Sequence, residues 1–74
     1  MAGNPSLAPI LDKKFEALPL KEIVKQSPSA LQGVSDGDAE ALRQAFGIKT
    51  IEDLATNKFI RWAQALTTLA AYEK

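Results

Sequence analysis

Cysteine and histidine are both missing from these 74 residues. Without thiols there is no disulfide framework, no thiolate nucleophile and no cysteine zinc site, and without imidazole the commonest metal ligand and general base is gone as well. Net charge is lacking too. Nine Lys and Arg balance nine Asp and Glu, so no global field draws the chain toward nucleic acid, anionic lipid or a basic partner. The most apolar stretch, 59–72, is interrupted by Arg61, Gln64, Thr67 and Thr68, and falls short of the roughly 18 consecutive apolar residues of a membrane span. The opening MAGNPSLAPIL has no basic start and is broken by Pro5 and Pro9, so it does not read as a secretory leader. The resulting expectation is a single small soluble domain, cytoplasmic and without membrane contact.

Catalytic chemistry finds little to work with. Ser27, Ser29 and Ser35 have no histidine to activate them, and a serine–lysine arrangement would need a desolvated lysine that so small a chain is poorly able to supply. Gly33 and Gly37 are not followed by the Lys-Ser/Thr of a phosphate-binding loop. Asp36, Asp38 and Glu40 supply hard oxygen atoms, but a calcium loop needs more carboxylates and a distal bidentate acid. Here the acids sit where a helix starts, and capping and dipole complementarity account for them. The chain is therefore read as a non-enzyme with no cofactor and no metal.

What is present is a series of short helical signals. Pro9 suits a helix first turn, after which Leu11, Phe15 and Leu18 fall on one face; residues 1–9 read as a flexible tail and 10–74 as the domain. Pro19 either ends that helix or starts a second one, in which Leu20, Ile23 and Val24 form the apolar face. Ser27 caps a single turn through Pro28, Ala30 and Leu31. Ser35 or Asp36 caps a helix whose stripe is Ala39, Leu42 and Phe46, stopped by Gly47 in a left-handed conformation. Thr50 and Asp53 form a capping box for a two-turn helix with Ile51, Leu54 and Ala55 inward. Thr56 or Asn57 caps the last helix, where Phe59, Trp62, Ala63, Leu66, Leu69 and Ala70 recur at helical spacing. About five short helices and no strands make an all-α compact bundle, with Phe15, Leu42, Phe46, Leu54, Trp62 and Leu66 as its expected core.

The segment 31–55 carries the one recognisable motif. Leu31, Gln32, Gly33, Val34, Ser35, Asp36, Gly37, Asp38 and Ala39 run apolar, any residue, Gly, apolar, small, and then on to a small Ala, and this resembles the helix-hairpin-helix, or SAM-like, family of small helical domains. Residues 46–55, FGIKTIEDLA, are similar to the second motif of such domains, including the helical domain that ends the alpha subunit of bacterial RNA polymerase. The family implies two helices joined by a glycine-tightened turn, with helix N–H groups directed outward where a phosphate oxygen could be held. Here Ser35 replaces the second glycine. Between Ala30 and Gly47 a single base, Arg43, faces three acids, a balance that repels phosphate.

Two functions follow as expectations. The first is a small non-catalytic interaction module that binds a protein partner or itself, with Ile60, Val34 and Tyr72 beside Gln32 as a shallow contact patch. The alternative is weak nucleic-acid binding, in which Gln32, Gly33, Val34, Ser35 and Gly37 form the hairpin-turn contacts and Lys49, Lys58 and Arg61 a basic edge. Asp36, Asp38 and Glu40 disfavour it. Trp62, the sole tryptophan, shares a stripe with Phe59 and Leu66 and is read as core rather than as an interface anchor.

Overall fold

The structure is a computed structural model that describes residues 7–73. It is all-α: four α-helices, α1 (Leu20–Ile23), α2 (Asp36–Phe46), α3 (Ile51–Thr56) and α4 (Lys58–Ala70), with 3₁₀ turns at Lys13–Phe15 and Pro28–Ala30. No strand occurs among the described residues, and the one β-type contact is an isolated antiparallel bridge between Leu11 and Leu31.

Local capping rules fix the helix boundaries. The Ser35 hydroxyl accepts from Asp38 N–H at 3.0 Å while the Asp38 carboxylate accepts from Ser35 N–H at 3.2 Å, a reciprocal box that starts α2. The same device starts α3, where Thr50 Oγ1 accepts from Asp53 N–H at 3.0 Å and the Asp53 carboxylate accepts from the amides of Thr50 and Lys49. Asn57 Oδ1 caps α4 by accepting from Phe59 and Ile60. Ser27 caps the Pro28 turn through the Ser29 amide. Gly47 ends α2 at φ +71°, and Gly33 makes the earlier bend at φ +93°; both angles lie where a Cβ is disfavoured.

The first expected helix does not form as such. Leu11 is extended and bridges Leu31, with Asp12 N–H donating to Ala30 O at 2.8 Å and Gln32 N–H to Ile10 O at 2.9 Å. Main-chain pairing with a distant segment takes the Asp12 N–H and the Ile10 carbonyl that a Pro9-initiated helix would have used. Leu7 packs against the core and its carbonyl accepts from the Ile10 and Leu11 amides. Leu7, at the end of the expected tail, thus contacts the core, and residues 1–6 of that tail lie outside the described residues.

The core also differs from the expected one. Its buried side chains are Leu11, Ile23, Pro28, Ala30 and Ile48, which come from an extended segment, one short helix, a 3₁₀ turn and the α2–α3 connection. α2, α3 and α4 bury no residue completely. Phe15, Leu42 and Leu54 are only half-buried, and Phe46, Trp62 and Leu66 are exposed. The stripes are apolar as expected but are left largely uncovered, because α4 packs chiefly on α3 and of its residues only Ile60 is half-buried.

Two glycines separate the conformational and helical effects of an added methyl. Gly47→Ala meets no atom within 4 Å, so its effect is the left-handed backbone alone, an expected loss of about 1 kcal/mol. Gly37 lies in the first turn of α2, where an added Cβ meets only Ser35 Oγ at 3.7 Å, and Gly37→Ala should gain about 0.5 kcal/mol. Urea unfolding of the two variants should move the midpoint in opposite directions. Ser35→Ala should cost about 1 kcal/mol in the same measurement.

Candidate functional site

The hairpin turn and the α4 surface are the two regions to weigh. At the turn, Gln32 and Gly33 are exposed, Val34 is half-buried, and Ser35 and Gly37 are exposed. Several of its amides are already committed within the chain. Gln32 N–H donates to Ile10 O, Val34 N–H to Leu31 O at 3.1 Å, and Ser35 N–H to the Asp38 carboxylate. Ser35 and Asp38 thus close a reciprocal capping box at this turn that occupies both of their amides.

Negative charge surrounds this turn. Asp36 and Asp38 sit in the first turn of α2. One turn further on, Glu40 accepts hydrogen bonds from Arg43 and from Gln44 Nε2, the latter at 2.9 Å. The Arg43 contact, followed by that of Gln44, holds the Glu40 carboxyl at about 2, well below its ordinary value, and the same pairing raises Arg43. Glu40 therefore stays ionised in mildly acidic solution, and Arg43 is engaged with it rather than offered to a phosphate. No cluster of three or more acids able to hold a metal is present among the described residues.

The basic edge is brought together in part. Lys58 and Arg61 line one shallow hollow of about 300 Å³ with Trp62 and Ala65. Lys49 does not line it and sits instead in the α2–α3 connection. Lys58 Nζ lies 5.2 Å from the Phe59 ring centroid and 5.7 Å from that of Trp62, within the range of a cation–π attraction.

Beside these cations lies the feature that sequence reading misplaced. Phe59 and Trp62 meet edge to face at 5.6 Å, and Phe46 at the end of α2 approaches Phe59 at 6.1 Å. The three rings are contiguous and each is half exposed or more, while Leu66 and Leu69 continue the row at 68% and 67% exposure. Trp62 itself is 57% exposed, so its assignment to the core is corrected. Ile60 and Val34, expected in a contact patch, are half-buried; Tyr72 is exposed as expected. The signal was available in the spacing, since Phe59, Trp62, Leu66 and Leu69 alternate steps of three and four, the narrow seam by which one helix meets another helix rather than the wider stripe of a helix on its own core.

Among the described residues, no helix is long and apolar enough to cross a membrane. No protein-family model matches this chain, and no curated protein or solved structure is significantly similar to it.

Proposed function

We propose that this chain is a small non-catalytic interaction module of the helix-hairpin-helix type that binds protein through the outer face of α4. One observation carries the reading: Phe46, Phe59, Trp62, Leu66 and Leu69 form a contiguous apolar row, each member at least half exposed. Isolated exposed apolar residues are ordinary on monomers, whereas contiguous patches of several hundred Å² mark contact surfaces. Aromatic anchors flanked by an arginine have the composition that dominates binding energy at protein interfaces.

Nucleic-acid binding through the turn draws less support. The amides of Gln32, Val34 and Ser35 are engaged inside the chain, and phosphate affinity depends on cations that this turn lacks. What favours a weak single-strand contact is the hollow of Lys58, Arg61 and Trp62, where one base could stack beside two charges.

Photo-cross-linking separates these readings. With benzoylphenylalanine in place of Trp62, irradiation of the cells that make the protein is expected to give adducts to protein, and the same probe at the exposed Lys21 should give few. In a chain that also carries Leu66→Lys, adduct yield at position 62 should fall about tenfold, as loss of a central apolar contact implies. Adducts confined to nucleic acid, or none, would overturn the proposal.

A further inference from the structure

Resting on α4 as the interaction surface, we infer that its occupant is a second copy of this chain, with the two α4 helices packed antiparallel about a twofold axis. The row Phe59, Trp62, Leu66, Leu69 repeats at alternating steps of three and four, so two such helices can interlock along their length. A crossing point midway along the row sets Phe59 against Leu69 of the second copy and Trp62 against its Leu66. Ala63 and Ala65 border the row on either side, and their small side chains let the two backbones approach closely.

Two further observations select a second copy. The first is area. From the exposures of the row, of Phe46 and of Tyr72, each chain offers about 700 Å² of apolar side-chain surface, close to the roughly 800 Å² per partner of a standard stable interface.

The second is charge. α4 begins with Lys58 and Arg61, has no acid in its first turn and no base in its last, and Glu73 follows its C-terminal end. That is the reverse of what the helix dipole favours. An antiparallel copy corrects it, because the cationic start of each helix then faces the carbonyl end of the other, and Lys58 comes within reach of Glu73 of the second copy. A parallel arrangement would set like charges side by side. The polar side of α4 is built from residues such as Gln64, Thr67 and Thr68, without the many lysines and arginines that hold a helix on an anionic membrane.

Sedimentation equilibrium on the full chain at about 100 µM, well above the dissociation constant of an interface of this size, is expected to return twice the 8.0 kDa mass of one chain. Leu66→Lys should give a monomer whose helical circular dichroism is retained, since Leu66 is exposed in the single chain. Lys58→Glu should weaken the dimer about tenfold, because the twofold axis repeats the exposed ion pair and both copies of it are lost, and Lys58→Glu combined with Glu73→Lys should restore it. A wild-type monomer at that concentration, or a double variant no tighter than the single one, overturns the antiparallel pairing. If the monomer still forms protein adducts from position 62 in cells, the interaction reading survives while self-pairing is lost. A monomer that forms none, and instead sediments with phosphatidylserine vesicles, removes both.

Discussion

The placement of α3 depends on two hydrogen bonds that belong to no helix. Ile51 N–H donates to Gln26 O and Glu52 N–H to Val24 O, both at 2.9 Å. The first amides of a helix have no partner within it, and here the carbonyls just after α1 supply one. This tie anchors the start of α3 beside the end of α1, brings Ile48 into the buried centre at 2% exposure, and sets the direction in which α4 leaves after Asn57. A second tie, Asp12 and Gln32 amides to Ala30 and Ile10 carbonyls, holds the N-terminal segment against the turn before the hairpin. Between the two lie Leu11, Ile23, Pro28 and Ala30. The fold is thus stitched at its turns, and the longer helices are attached to that stitching by their ends.

Such an arrangement explains which features could be read from sequence. The starts of α2, α3 and α4, the Ser27 turn and the stop at Gly47 all follow from contacts within four residues, and local chemistry of that kind is carried by residue identity alone. The core was illegible for the opposite reason. Periodicity tells which face of a helix is apolar, but not whether another element lies over it. Leu11 reads as part of a helical face with Phe15 and Leu18 yet lies in no helix, Ile48 carries no helical stripe, and Ala30 and Pro28 resemble punctuation; all four are buried by pairings across the chain. Leu42 and Phe46 share one stripe, yet the first is half-buried and the second 51% exposed, since α2 leans on the Pro28–Ala30 turn and its far end extends beyond it.

At the candidate site the same distinction holds. The residues of the Gly33 turn stand out in the sequence by their spacing, but the local effect of Ser35 is one that spacing alone does not weigh. It gives the turn a reciprocal cap with Asp38 and so directs two donors and acceptors at one another. The turn is consequently well suited to hold a bend. Lys58 and Arg61 read as charges from sequence and their neighbour Trp62 as inward, whereas the hollow they share exists because α4 turns its aromatic row outward.

That outward row bears on how α4 is maintained. A helix of 13 residues is near the lower limit for persistence in water without tertiary packing, and α4 is anchored through its Asn57 cap and its contact with α3. Its cationic first turn opposes its own dipole. Cap and α3 contact act at the N-terminal end, while Leu66 and Leu69 lie in the uncovered C-terminal half. Any occupant that buries this half therefore does more than remove apolar area from water: it supplies the packing that the last two turns lack. Binding then reinforces the last turns of a helix that the single chain already forms, and substitutions at Leu66 or Leu69 act on affinity through the bound state while leaving the turn-stitched core around Leu11 and Ile48 untouched.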